Sequence, residues 1–259
     1  MPGLPQELID RIIDHVRDRT SLKACSLVCS RWSPRSRKHL FVQVEFASQR
    51  DLERWCACIH PGPLGLSSLV RCLFLSKDPE SSSSFPWLHS SVLSDAASHF
   101  QSFSALQAFG MLQWDLSADR VSSMFHSFGS SLENVTILIL GDVIVHPSIL
   151  TTFLSHFPRL YDLTISAILY GTLGGTVDLG HEFRADIIPT HPHGRLSISH
   201  MVTNQESKWV FDAVILLEPR FHRVALAHVT YDGWRDYWPL IEACAESLEG
   251  LSIFAGATG

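Results

Sequence analysis

The chain has 259 residues, 46% of them hydrophobic and 18% charged, with a net charge of −6. That length suits one extended domain or two smaller ones, with enough apolar residues for a long internal core. The negative charge argues against nonspecific nucleic-acid binding, and the longest apolar runs, such as Val214 to Leu217, are far too short to span a bilayer.

Residues 4–46 read as three short helices leading into a strand. Leu4, Leu8, Ile12 and Val16 share one helical stripe, with Ile9 and Ile13 beside it. Pro5 fits the first turn, where a missing N–H leaves nothing unpaired. Asp18 or Thr20 can cap a second helix, whose apolar side holds Leu22, Cys25, Leu27, Val28 and Cys29. Ser33 followed by Pro34 signals a third helix that runs to about Leu40. A unit of about forty residues buries too little surface for a self-sufficient core. Part of its apolar surface is therefore expected to pack on the following domain, and part to meet another protein.

The run LPxELxxxI from Leu4, the run SLVCSRW ending at Trp32 and the closing His39-Leu40-Phe41 occur together and in order. In that combination residues 4–41 resemble an F-box, the adaptor-binding module of Skp–cullin–F-box ubiquitin ligases. The resemblance implies docking on a Skp-type adaptor and, through it, on a cullin scaffold. It assigns Leu4, Pro5, Leu8, Ile12, Val16, Leu22, Val28 and Trp32 to the adaptor contact, some of them doubling as core.

After a strand at 41–46, a helix is expected over 48–59, with Leu52, Trp55, Cys56 and Ile59 on one face. His60-Pro61-Gly62-Pro63 stops it. A repeat then begins. The pattern apolar-x-x-apolar-x-apolar occurs at Val70/Leu73/Leu75, Leu106/Phe109/Met111, Leu132/Val135/Ile137 and Leu160/Leu163/Ile165. It returns at Phe221/Val224/Leu226 and Leu248/Leu251/Ile253, and a weaker copy at His193/Leu196/Ile198 keeps only the last two positions. Successive starts lie 36, 26, 28, 33, 28 and 27 residues apart. Helix-like faces fall between copies: Val121, Met124, Phe125 and Phe128; Leu150, Phe153, Leu154 and Phe157; and the stretches 209–217 and 237–248.

One strand and one helix per unit is the leucine-rich-repeat plan. The ninth position should be Asn or Cys, and here it is Asp78, Trp114, Leu140, Ile168, Met201, Val229 and Gly256. Without an asparagine ladder the stack is expected to be irregular. An F-box followed by irregular leucine-rich repeats is an arrangement known in that family. The expected fold is thus α/β: an F-box-like helical module at 1–40, then an irregular solenoid at 41–259 with a curved parallel sheet and helices on its convex side. Seven parallel strands are expected, because each returns through a crossover. Their core residues are Leu73, Leu75, Phe109, Met111, Val135, Ile137, Leu163, Ile165, Leu196, Ile198, Val224, Leu226, Leu251 and Ile253.

The neighbours of those positions point onto the concave face. The third position reads Cys72, Ala108, Asn134, Asp162, Arg195, Arg223 and Gly250; the fifth reads Phe74, Gly110, Thr136, Thr164, Ser197, Ala225 and Ser252. A protein substrate is expected across the middle copies, on Asn134, Thr136, Asp162, Thr164, Arg195, Ser197 and Arg223, its acidic part toward the arginines.

Catalytic chemistry finds little support. The glycines at 171–176 lack the Lys-Ser/Thr of a phosphate loop. His181, Glu182, Asp186, His191 and His193 read as a solvated loop, and Cys25 and Cys29 as small hydrophobes on the buried side of a helix. No GxSxG or HExxH occurs. Arg31, Arg35, Arg37 and Lys38 read as a polar face toward solvent or a partner. Two further stretches, 76–86 and 171–194, are expected to be loops.

Residues 1–45 hold eight Lys/Arg and five Asp/Glu, a net of +3, while the rest holds twelve and twenty-one, a net of −9. A basic head on an acidic body suits two modules with different partners. With no signal peptide, six cysteines are expected to stay reduced in the cytosol or nucleus. The leading reading is a non-catalytic substrate receptor of a ubiquitin ligase, with no cofactor, no metal and neither nucleic acid nor membrane as partner. A solenoid interaction scaffold with no ligase link is the alternative; an enzyme using residues 171–194 is the third. Substrate identity, a modified recognition signal and any extension past Gly259 are left open.

Overall fold

The computed structural model describes residues 4–59, 65–76, 90–116, 118–166, 169–170, 192–199, 208–229 and 234–255. The chain opens with α1 (Gln6–Asp14), α2 (Arg19–Val28) and α3 (Ser33–Phe41). Helical spacing turns Ile9 and Ile13 inward, where they meet Leu22, with Val16, Trp32 and Leu40 packed around them. Asp18 caps α2, its carboxylate accepting the N–H groups of Thr20 at 2.8 Å and Ser21 at 3.1 Å. At α3 the cap position is Trp32, with no side-chain bond; Ser33 is already helical, and Pro34 fills the first turn.

Val42 alone separates α3 from β1 (Gln43–Phe46). Next comes α4 (Gln49–Cys58), capped by Ser48, whose Oγ accepts the Asp51 N–H at 3.3 Å. Then follow β2 (Cys72–Ser76), α5 (Ser90–Asp95), α6 (Ala97–Gln101), β3 (Ala108–Leu112), β4 (Asp115–Leu116) and α7 (Ala118–Phe128). A 3-10 turn (Gly129–Asn134) leads to β5 (Ile137–Gly141), β6 (Ile144–Val145), α8 (Pro147–Ser155), β7 (Asp162–Ser166) and β8 (Leu169–Tyr170). The series closes with β9 (Arg195–Ser199), α9 (Lys208–Ile215), β10 (Arg223–Val229), α10 (Trp234–Ala243) and β11 (Gly250–Ala255).

The architecture is mixed α/β. One eight-stranded sheet has the order β1-β2-β3-β5-β7-β9-β10-β11, and β4-β6-β8 form a small second sheet. Every described pairing is parallel, as crossover connections require. The extra member of the large sheet is β1, whose Val44 and Phe46 sit in register with Leu73 and Leu75 of β2. Phe41/Val44/Phe46 repeats the same apolar spacing that marks the later copies.

Inward strand residues and the apolar faces of the helices form one core cluster. Aromatic rings run through it. Trp55 meets Phe103 at 5.9 Å, Phe103 meets Phe100 at 6.1 Å, and Phe100 stacks on Phe128 at 4.2 Å. Phe128 meets Phe109 at 5.5 Å, and Phe109 lies 6.2 Å from Phe157. Flat rings fill the gap between sheet and helices with large buried area per residue. Phe100 and Phe103 come with α5 and α6, which the apolar spacing had not marked.

The turns after the strands hold without an asparagine ladder. Gln113 and Asp142 take positive φ of 62° and 52° at equivalent corners. Their N–H groups donate to the next unit, Gln113 to the Gly141 carbonyl at 2.7 Å and Asp142 to the Ser166 carbonyl at 2.8 Å. Trp114, at a ninth position, is buried and donates its indole N–H to the Leu75 carbonyl at 2.8 Å. A side chain unlike Asn thus supplies one cross-unit bond that the backbone needs.

Three core expectations fail. In β5 the inward residues are Leu138 and Leu140, paired with Phe109 and Met111, and Ile137 is only half-buried on the other face. The register is three residues later than Leu132/Val135/Ile137, and the pattern starts at Val135. Ile137-Leu138-Ile139-Leu140 is apolar throughout, so alternation could not choose its inward face. Leu251 and Ile253 of β11 are exposed. Among the described residues, none follows β11 to cover them.

Candidate functional site

Two surfaces stand out, one on the helices and one on the sheet. On α1, turning Ile9 and Ile13 inward leaves Leu4 (51% exposed), Leu8 (44%) and Ile12 (45%) on an outward stripe, with Pro5 exposed at its start. At the end of α2, Leu27 and Val28 are also exposed. Large apolar side chains so placed are unusual when nothing covers them. Of the other residues assigned to the adaptor contact, Val16 and Trp32 are half-buried against the small core, and Leu22 is buried within it. Leu22 is therefore core: its position in α2 faces the Ile9–Ile13 side of α1.

Polar clamps hold the α1 stripe at both ends. Arg31 donates from Nη2 to the Leu4 carbonyl at 2.8 Å and from Nε to Gln6 Oε1 at 3.3 Å, while Gln6 Nε2 donates to the Arg31 carbonyl at 3.0 Å. At the other end Arg35 grips Asp14 with both arms of its fork, each at 2.6 Å, and His39 Nε2 lies 2.7 Å from Asp14 Oδ1. The Arg35 bonds, then those of His39, hold the Asp14 carboxyl far below the usual carboxylate range. Arg35 is thus a half-buried internal tie, while Arg31, though bonded to the head of α1, is exposed like Arg37 and Lys38. Cys29 likewise departs from expectation, lying exposed just past α2.

The second surface is the sheet face opposite the core. Across β7, β9 and β10 it carries Asp162, Thr164, Arg195, Ser197 and Arg223, as expected. Asn134 and Thr136 do not belong to it. Asn134 ends the 3-10 turn and accepts from Arg159 Nη1 at 3.0 Å; Thr136 precedes β5 and donates to the Gln107 carbonyl at 3.3 Å. The register shift puts Ile137 and Ile139 in their place.

Arg195 and Arg223 are exposed and directly in register on neighbouring strands. Among the described residues neither guanidinium has a hydrogen bond or ion pair. The nearby acids are engaged: Asp162 Oδ1 accepts the Arg195 backbone N–H at 2.6 Å, and Glu249 Oε1 lies 3.3 Å from His222 Nδ1. Two open depressions share the arginines. One of about 510 Å³ extends toward Ala225, Ser252 and Phe254. The other, about 370 Å³, is bounded by Tyr161, Gly194, His222 and Glu249. Gly194 is required beside the Tyr161 ring, because a Cβ there would run into it.

Burial raises the Cys56, Cys72 and Cys244 thiols, which is the wrong direction for an activated nucleophile. Among the described residues no three His, Cys, Asp or Glu side chains gather as metal ligands would, and no helix is long and apolar enough to cross a membrane. His181, Glu182, Asp186 and His191, the glycines at 171–176 and nearly all of the loops at 76–86 and 171–194 lie outside the described residues. The sequence matches no protein-family model and no curated protein.

Proposed function

We propose that this chain is a substrate-recognition subunit of a Skp–cullin–F-box type ubiquitin ligase. In this reading α1 to α3 are an F-box that docks a Skp-type adaptor, and the sheet with its helices is an irregular leucine-rich-repeat solenoid that holds a protein substrate. The chain itself performs no covalent step; it contributes proximity and orientation. The observation that carries the reading is the clamped, outward apolar stripe Leu4, Leu8 and Ile12, with Pro5 at its head. Burying each such side chain contributes about 1.5–3 kcal/mol, and a few anchors dominate an interface of this kind.

The junction between the two parts supports the same reading. A single residue joins α3 to β1, and the Val42 carbonyl accepts the N–H groups of both Arg71 and Cys72 at 2.9 Å. Phe41 packs edge-on to Trp55 at 6.0 Å. A substrate on the sheet face would therefore be held at a set orientation to the docked adaptor.

The test is adaptor capture from cells, measured beside wild type. A Pro5→Ala/Ile12→Asp variant is expected to lose the adaptor while its thermal unfolding stays cooperative. Undiminished capture would sink the F-box assignment. Arg195 and Arg223, without a side-chain partner among the described residues, favour a second reading if capture is absent from wild type as well: an interaction scaffold that binds a partner on its sheet but recruits no ligase.

A further inference from the structure

We infer that the open sheet face takes an acidic–apolar protein segment laid across the strands, its carboxylates on Arg195 and Arg223 and its bulky apolar side chains over Phe74, Ile137 and Ile139. The inference rests on the proposal that this face holds a protein partner, and names the chemistry of that partner.

The face has two unlike halves. Over β9 and β10 it carries the two arginines, in register and without partners among the described residues. Like charges directly opposite on a sheet repel, so an anion laid between them removes a standing cost. Their forks suit carboxylates, which they can grip by two parallel hydrogen bonds each. Asp162 and Glu249 flank the pair but are committed to the Arg195 backbone and to His222. Over β2 to β5 the same face is apolar. Phe74, Ile137 and Ile139 are half-buried there, although their neighbours on the other face are fully buried. The Phe74 ring lies against Gly110, where a Cβ would run into it. The result is a low apolar platform in line with the arginines.

The strand order sets the size of the occupant. Neighbouring strands lie about 4.8 Å apart, so two intervals separate β5 from β9, roughly 10 Å. Five intervals separate β2 from β10, roughly 24 Å, or about seven residues of extended chain. A nine-residue segment with acids at one end and apolar side chains three to seven positions away spans both halves. Nucleic acid fits less well: two arginines on a chain of net charge −6 make no phosphate-tracking stripe.

The experiment selects binders to the full chain from a displayed random nine-residue library. Expected are peptides with Asp or Glu at one end and Leu, Ile or Phe three to seven positions away. A synthetic peptide of the selected sequence should bind at least tenfold more weakly to Arg195→Glu/Arg223→Glu, and separately to Ile137→Ser/Ile139→Ser. Affinity should also fall with salt, and both variants should keep the cooperative thermal unfolding of wild type, which shows that they fold. A library that returns no binder, binders lacking acids, or binders indifferent to either variant would overturn the inference. Loss of the F-box assignment, by contrast, would leave these peptide results untouched.

Discussion

The hook of α1 to α3 buries Ile9, Ile13 and Leu22, while the sheet body buries a continuous cluster threaded by rings from Trp55 to Phe157. The hook compensates with polar ties, three between Arg31 and the head of α1 and a carboxylate held by Arg35 and His39 at its foot. The body has the reverse balance: apolar packing throughout, and backbone bonds from one unit to the next at its corners. The difference teaches what each part can spare. A hook that fixed itself with more apolar core would have less of α1 to present outward, whereas polar clamps set its shape and leave Leu4, Leu8 and Ile12 free.

The largest effect is expected from breaking the body. Phe128 is fully buried, stacked on Phe100 and edge-on to Phe109. Phe128→Ala removes a ring from the middle of the aromatic run, and such changes destabilise by about 3–5 kcal/mol. Denaturant unfolding should show that loss in the body signal. If the hook is coupled to the body through the junction at Val42, adaptor capture should fall in parallel with the folded fraction; capture persisting after the body has melted would show instead that the hook stands alone.

A middling effect sharpens the body's two faces against each other. Leu138→Ala should cost about 2–5 kcal/mol, because its side chain is fully buried. Ile137→Ala should cost under about 1 kcal/mol, since a half-exposed position loses far less. The opposite ranking would restore the earlier register and withdraw the apolar platform.

That pair also marks how far the sequence could be read. Parallel pairing was legible, because each strand's apolar spacing returned after a stretch long enough for a crossover. The register at β5 was not, because four consecutive apolar residues satisfy both parities. The first strand was legible at 41–46, but not as a member of the large sheet, although Phe41/Val44/Phe46 carries the same spacing as the later copies. Arg195 and Arg223 were legible as one column, while Ile137 and Ile139 were lost with the register. The exposure of Leu251 and Ile253 depends on what covers a strand, which its own spacing does not state. The Asp14 clamp joins residues 21 and 25 positions apart, and no periodicity announces it.

The smallest effect tests that clamp. Arg35, and after it His39, holds the Asp14 carboxyl well below its ordinary value of 3.8, so the folded hook favours the charged form. A depressed value means stabilisation that is fully present above the ordinary value and disappears as pH falls through the folded one. The two side chains are about one-third exposed, at 32% and 33%, so solvent and salt screen the pair and its contribution is modest. Asp14→Asn removes the charge at every pH. The variant hook should therefore unfold more easily than wild type at neutral pH and low salt, followed by fluorescence of Trp32, which packs against the hook core. The other tryptophans should be replaced by Phe in both proteins so that Trp32 alone reports. As pH falls from about 4 toward 2, wild type should lose part of its advantage and the gap between the two curves should narrow. Asp18 also titrates in that window, because its bonds to Ser21 and Thr20 lower it as well. That contribution is common to both proteins and cancels in the difference. A gap that stays constant from neutral pH to pH 2 would mean that the Asp14 charge contributes nothing, and the hook would then owe its shape to Arg31 and its three buried side chains.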